Sequence, residues 1–456
     1  MNLRLLMLIA ICAGTVGTVR AEVTVEAWRN GKPPVPMPTR TLTTLPDFKP
    51  PTVAPKLDQF GGWVNGPQSR AGTGFFRAEK IGDRWWLVTP EGHAFIHIGV
   101  ATVSPDSGPT FKAAFAKRFQ DRDDWARQTA TLLHTNGFNG TGNWSADEAL
   151  AVAPQRLVYT RGVNFMSAFA KKLGLTHVVP GHTGYQDELI PVFHPDFPKF
   201  CDEYAQQLAT TKDDPWLLGI YSDNELQLPK QAIERYLQRP TDDPGRKELE
   251  AWLAARHADT KNLTAADHDE WTAHVMDRYY TLVGTAIHNA DPHHIYLGSR
   301  LHGTDASNAA LWKVAGKHLP VIAMNVYGDW TPTETVRKWE QWSGRPMMAT
   351  EWYAKAQDAP GLANKTGAGW NVKTQRDRAL FYQNFTLALL EARGCVGWHW
   401  FKYADNDPAN PKADPSNLDS NKGIVNCAYQ PYAELLDAMQ ALNAQVYPLT
   451  AFFDRR

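Results

Sequence analysis

Short, wholly apolar runs recur along the chain, and most stop at a polar residue or a glycine. The run Leu217-Leu218-Gly219-Ile220-Tyr221 ends abruptly in Ser222-Asp223-Asn224-Glu225. A continuous apolar run of this length suits a strand buried on both faces, as in a parallel sheet. The segments 94–100, 138–142, 157–160, 295–298, 321–325, 346–350 and 395–400 also read as strands. With 217–221 as the fourth in chain order, these make eight predicted strands. Between them, apolar residues fall at helical spacing over 123–136, 196–209, 271–289 and 375–392, and again over 432–442 after the last strand. Gly137 and Gly394 supply stop signals, Asp196 is the expected cap of its helix, and Ser145-Ala146-Asp147-Glu148 reads as a capping box. The segment 242–269, after strand four, reads as an inserted helical stretch. Ahead of strand one, 74–80 and 85–88 flank the turn at Gly82-Asp83, which predicts a hairpin, and Pro90-Glu91-Gly92 makes a second turn.

Eight alternating strand–helix units predict an α/β fold, a (β/α)8 TIM barrel over 57–456 with an N-terminal hairpin and a helical insertion after strand four. No glycine-rich phosphate loop follows any strand, which disfavours an open doubly wound sheet. Upstream, 22–56 carries Pro33, Pro34, Pro36, Pro38, Pro46, Pro50, Pro51 and Pro55. That leaves little room for helix or sheet and predicts an extended arm lying on the domain, or a tether. Residues 1–21 have the pattern of a signal peptide: Arg4, an apolar stretch, then Val19-Arg20-Ala21 as a cleavage site. Bulky Ile11 before Cys12 speaks against lipoprotein anchoring. The expected location is therefore periplasmic or extracellular.

Composition narrows the function classes. The 456 residues are 43% hydrophobic and 21% charged, which supports a sizeable core. A net charge of −1 without a long single-sign run argues against a nucleic-acid partner. No apolar stretch is long enough to span a membrane. The 17 tryptophans favour a chain that stacks sugar rings, although large cores also use indoles. Once 1–21 is removed, Cys201, Cys395 and Cys427 remain. The first two sit in core patterns and should be free thiols; Cys395–Cys427 is the one pairing to test.

Glu225 follows strand four and Glu351 follows strand seven. In a barrel, both strand ends open on one mouth. Glycosidic bond cleavage needs one carboxyl to protonate the leaving oxygen and a second carboxylate to attack the anomeric carbon or activate water. Either glutamate alone is equally well a solvated loop-end carboxylate; the pair at these two strands points to chemistry. No His-Glu-x-x-His helix or cysteine pair is present, so neither His182 nor His293-His294 predicts a zinc site, and Asp405-Asn406-Asp407 reads as a polar loop. No cofactor is expected.

Asn224-Glu225 with Glu351 is similar to the layout of the clan A retaining glycoside hydrolases. More narrowly, several stretches resemble the agarase families, glycoside hydrolase family 50 above all. One is Gly74-Phe75-Phe76-Arg77 with Asp83-Arg84-Trp85-Trp86-Leu87-Val88 and Pro90-Glu91-Gly92-His93. Others are Gly137-Phe138-Asn139 with Gly142-Asn143-Trp144-Ser145, and Tyr221-Ser222-Asp223-Asn224-Glu225-Leu226. The resemblance runs over 57–447; a departure is that 22–56 has no room for the amino-terminal carbohydrate-binding domain typical of family 50. It implies a retaining β-galactosidase or β-agarase-like enzyme on galactan or agar-type oligosaccharides, with Glu225 as acid/base and Glu351 as nucleophile. Alternatives are another β-linked glycan, a glucoside or mannoside, or a glycan-binding barrel without activity. The oligomeric state is open.

The acid must begin protonated, which apolar surroundings favour, and the nucleophile must stay ionised, which calls for donors facing it. Tyr327, just past strand six, is the candidate donor to Glu351. Asn224 is the candidate donor to the sugar 2-hydroxyl, or a turn residue. Trp400 is a candidate stacking residue, with Trp352, Trp144 and Trp370 balanced between stacking and core. His97 is a candidate substrate contact or a hydrogen-bonded core histidine, Asn143 a substrate contact or a residue that turns the chain before the helix cap, and Arg300 a substrate contact or an ion pair with Asp223 or a loop carboxylate.

Overall fold

The apolar runs become strands because each is long enough to cross a sheet and too short for a helix. The computed structural model describes residues 23–67, 71–256, 262–410 and 417–456. The expected signal peptide at 1–21 lies outside the described residues. Upstream of the parallel core run β1 (Val23–Trp28), β2 (Val35–Thr39), β3 (Arg77–Ile81), β4 (Arg84–Val88) and β5 (Ala94–Phe95). Then follow β6 (His97–Val100), β7 (Gly140–Thr141), β8 (Tyr159–Gly162), β9 (Thr176–Val179), β10 (His182–Tyr185) and β11 (Leu217–Tyr221). The last are β12 (Ile295–Gly298), β13 (Ile322–Asn325), β14 (Met347–Glu351), β15 (Ala354–Ala356), β16 (Trp370–Val372) and β17 (Cys395–Trp400).

Two parallel sheets carry the core. One has five strands in the order β13-β14-β17-β6-β7, the other three in the order β12-β11-β8. Single parallel bridges, Gly140 to Val158 and Leu301 to Met324, link them at both ends. Every residue of β11, β12, β13, β14 and β17 is buried. Burial on both faces explains why these strands read as unbroken apolar runs rather than alternating ones. All eight strands point the same way, so the residues that end them gather on one side of the molecule.

Helices cover the sheets. Gln375–Ala392 buries Phe381, Phe385 and Leu389, each contributing roughly 1.5–3 kcal/mol of apolar burial. Thr374 and Asp377 form its capping box. Ala265–Ala290 begins earlier than 271 because Thr264 and Asp267 cap it. Two expected caps are absent. Asp196 makes no side-chain cap bond, and Ser145 is spent elsewhere: its hydroxyl accepts from Val103 N at 3.0 Å and donates to Gly142 O at 2.8 Å. The expected hairpin forms between β3 and β4, with Gly82 at φ +62° in its turn. Among the described residues no helix is long and apolar enough to cross a membrane. Cys201, Cys395 and Cys427 are all free thiols, which removes the Cys395–Cys427 pairing. Asp405, Asn406 and Asp407 are buried rather than a solvated loop; Asp405 accepts from Gly423 N at 2.8 Å and Asn421 Nδ2 at 3.0 Å.

The proline-rich segment corrects the sequence reading: it forms sheet. β1 and β2 pair antiparallel, and β1 also pairs with β16, giving the order β15-β16-β1-β2. β2 is the edge strand. Pro36 lies opposite Glu26 and Pro38 opposite Thr24, two positions apart, so their missing donors fall on the open side where no ladder bond is needed. A second feature without a sequence-based expectation is the β9–β10 hairpin, a two-stranded sheet turned by Pro180-Gly181.

Candidate active site

Glu351 is the last residue of β14 and only 4% exposed. Its two oxygens have separate donors. Arg300 Nη2 donates to Oε1 at 2.5 Å, and the Tyr327 hydroxyl donates to Oε2. Arg300 is fully buried and also donates to the Thr350 carbonyl at 3.2 Å. Its guanidinium lies 4.5 Å from the Trp144 ring and 5.3 Å from the Tyr221 ring, so aromatic faces cover the charge that hydrogen bonds do not. Burial pushes the Glu351 carboxyl up; Arg300 opposes this, the Glu225 charge adds to it, Tyr327 and Lys422 oppose it, and the net direction is upward.

Glu225 is held differently. Ser222 and Asp223 anchor the turn after β11. The Tyr279 hydroxyl donates to Asp223 at 2.6 Å and to Ser222 Oγ at 2.8 Å, and Asp223 accepts the Met166 and Ser167 amides at 2.8 and 3.2 Å. That leaves Asn224 and Glu225 for the open side. Glu225 has φ +51°, a left-handed conformation rare for a residue with a Cβ, stabilised here by its N–H facing the Ser299 and Arg300 carbonyls. Asn325 Nδ2 donates to Glu225 Oε1 at 2.7 Å, and His182 Nδ1 lies 3.8 Å from Oε2. Asn325 is also the register partner of Glu351 across β13 and β14, and its own Oδ1 accepts from Thr350 at 2.8 Å. One asparagine therefore spans the two carboxyls. The acid expected in apolar surroundings is instead the more open of the two.

A cavity of about 510 Å³ joins them, lined by Glu225, Glu351, Asn224 and Tyr327 of the expected residues. Five others are placed elsewhere. Trp352 is buried with its ring 4.2 Å from Phe385, a core stack. Trp400 is buried and donates to the Lys422 carbonyl at 2.8 Å. Neither ring lines the cavity, whereas Trp144, 45% exposed, does. His97 is a buried interior residue, bonded to His399 at 2.9 Å and to the Val158 carbonyl at 3.3 Å; desolvation pushes it down to about 4. Asn143 is buried against Gly162, where a Cβ would meet its Oδ1 at 2.1 Å. Arg300 pairs with Glu351, neither with Asp223 nor facing the opening.

Several cavity residues were missed: Asn325, His182, His302, Asp329 and Arg29. Asn325 and His302 had a signal, since both end or follow a barrel-type strand. Burial lowers the His302 pKa, but Asp305, Glu225 and Glu351 outweigh it and the net direction is upward. Arg29 had none, being upstream of every strand of the parallel core. Among the described residues, ligand atoms of Asp58, Glu91 and His93 lie within 4.8 Å of one another. Asp58 already accepts from Gly62 N, Thr89 and His93, so its oxygens are spent on the turn. His294, from the pair weighed for zinc, is bonded to Asp291 and the Asp214 carbonyl.

No protein-family model matches the chain. The solved structure of BpGH50 superposes on 95% of it, covering 96% of BpGH50, with a TM-score of 0.83 and 29% identity. The chain is thus similar to the agarase-like family 50 of glycoside hydrolases. The agarase AgWH50C shares the fold with this chain at a TM-score of 0.71 and 22% identity, over 87% of this chain and 67% of that one. Among curated sequences, Beta-agarase B of Vibrio sp. (strain JT0107) is 23% identical over 494 residues, 86% of this chain and 50% of the relative. Beta-agarase A of the same strain is 23% identical over 410 residues, 78% of this chain and 39% of the relative. The chain thus spans half or less of the length of these curated relatives.

Proposed function

We propose that the protein is an exported, retaining β-glycoside hydrolase acting on β-galactosidic bonds of agar-type oligosaccharides. The observation that carries this is one cavity in which two carboxyls have different settings: Glu351 is buried and gripped by Arg300 and Tyr327, while Glu225 is partly exposed, bonded to Asn325 and 3.8 Å from His182. In the first step the Glu351 oxygen attacks the anomeric carbon as the glycosidic C–O bond breaks. Glu225 gives its proton to the departing oxygen. In the second, Glu225 takes a proton from water, whose oxygen displaces Glu351 from the sugar. Asn224 and Trp144 meet the sugar at the cavity wall.

The two parallel sheets with their bridges at both seams support closure into a (β/α)8 barrel over 57–456. The 1–21 pattern supports export. The relatives named for agarase activity support the substrate class. The test is product formation from aryl β-galactosides and agar-derived oligosaccharides, with proton NMR of the first-formed anomer. Release of the β-anomer is expected; release of the α-anomer would mean inversion, and no product from any β-glycoside would leave a glycan-binding protein.

A further inference from the structure

Arg29 immediately follows β1, in a segment that the sequence marks only as an arm. It nevertheless lines the cavity that holds both glutamates. Its Nη1 donates to the main-chain carbonyl of Tyr327. Its guanidinium lies 5.4 Å from the Trp370 ring, at the start of the strand with which β1 pairs. Trp370 in turn donates to the Asp329 carbonyl at 3.0 Å, and the Asp329 carboxylate attracts Arg29. Next door, Asn30 donates to Gly367 O at 2.8 Å and accepts from Asn371 at 2.8 Å. The hairpin is thereby tied to the loops after strands six and seven of the parallel core.

Tyr327 needs that tie. It lies two residues past β13, outside regular structure, with Gly328 after it. One end of Tyr327, the carbonyl, is taken by Arg29; the other, the hydroxyl, donates to Glu351. A hydrogen bond to a reacting carboxylate is effective only if its donor is already in place. We propose that Arg29 is a positioning residue for Glu351, its guanidinium pinning the Tyr327 main chain so that the hydroxyl stays on the carboxylate. The N-terminal hairpin is then part of the catalytic apparatus rather than a tether. This rests on Glu351 acting as the nucleophile.

The groups facing Glu351 are Arg300, Tyr327, Glu225 and Lys422, with His302 sensing its charge; Arg29, Asp329 and Tyr353 stand behind Tyr327. The experiment compares Arg29→Ala, Arg29→Lys and Tyr327→Phe with the full chain. Arg29→Ala should lower kcat about tenfold with little change in KM, the mark of lost transition-state positioning. The acid limb of its kcat/KM profile should move to higher pH, as in Tyr327→Phe. The double variant should be no worse than Tyr327→Phe alone, because both act on one bond. Arg29→Lys keeps one donor and should recover part of kcat; if Arg29→Ala does not fold, Arg29→Gln carries the same comparison. A crystal structure of the variant reads the Tyr327–Glu351 bond directly, whatever the protein hydrolyses. Retention of that bond with an unmoved acid limb would overturn the proposal, as would a rise in KM alone. Inactivity of the unsubstituted protein on every β-glycoside would instead remove the proposed function and leave the structural readout standing.

Discussion

Glu351 and Glu225 share a cavity but not a way of being held. Glu351 is part of a strand, and its partners reach it from behind: a fully buried arginine and a tyrosine pinned at its other end. Glu225 sits on a loop in a left-handed conformation, its oxygens facing one asparagine and, at longer range, one histidine. The first arrangement fixes a charge. The second leaves a proton able to come and go. In the proposed mechanism the backbone element would then set the role: rigid strand for the group that bonds to carbon, loop for the group that trades protons with solvent.

Replacing Glu351 by Gln is the harshest way to break that contrast. It keeps the shape, removes the attacking charge and leaves Arg300 buried without its counter-ion. Activity is expected to fall by about four orders of magnitude or more on every β-glycoside, with no rescue by added anions. Measurable turnover near the parent rate would remove Glu351 from the mechanism. Glu225→Ala tests the other side. A loss of about 10²–10⁴-fold is expected on substrates with poor leaving groups. Azide should restore part of it by taking the place of water and giving an α- or β-glycosyl azide; the β-product marks double displacement. Equal losses with good and poor leaving groups would mean that Glu225 does not donate the proton.

These two residues were legible in the sequence because Glu351 directly follows an apolar run and Glu225 lies in the short polar stretch that ends another, and position near a strand end survives any error in helix boundaries. Tyr327 was legible for the same reason. The failures share a different cause. Trp352 and Trp400 adjoin cavity residues in sequence and His97 lies on the first core strand, yet their rings point inward, toward helix Gln375–Ala392 or the sheet interior. The alternation of side chains along a strand decides such cases, and a fully buried strand shows no polar–apolar alternation to read it from. Arg29 was invisible because its placement depends on β1 pairing with β16, a contact between segments far apart in sequence. The prolines that argued against sheet hid it further.

Tyr327→Phe sharpens the comparison without destroying either carboxyl. Burial, the largest influence, and the Glu225 charge raise the Glu351 pKa; Arg300, Tyr327 and Lys422 lower it. Glu351 must be ionised to attack, so activity is lost as pH falls through that pKa. Deleting the hydroxyl removes one of the lowering influences, so the acid limb of kcat/KM should move to higher pH, with kcat down by about 10²-fold at the optimum. The limbs belong to the pair rather than to one residue. A limb that stays in place or moves to lower pH would show that the hydroxyl is not bonded to the ionised form.

The smallest effect separates the tryptophan at the mouth from those behind it. Trp144 is half exposed in the cavity and lies over the Arg300 guanidinium, with φ +60° fixing the ring's approach. Stacking on a sugar face is worth roughly 0.5–1.5 kcal/mol, so Trp144→Ala should raise KM about two- to tenfold. Because the same ring covers a buried charge, the substitution also lets water reach Arg300 and should add a modest fall in kcat. Trp400→Phe should do the reverse: it loses the bond to the Lys422 carbonyl in a closed interior, lowering the melting temperature while leaving KM as it was. Melting curves and KM measured on both variants decide between them. If Trp400→Phe changed KM and Trp144→Ala did not, the sugar would have to enter by a route other than this cavity.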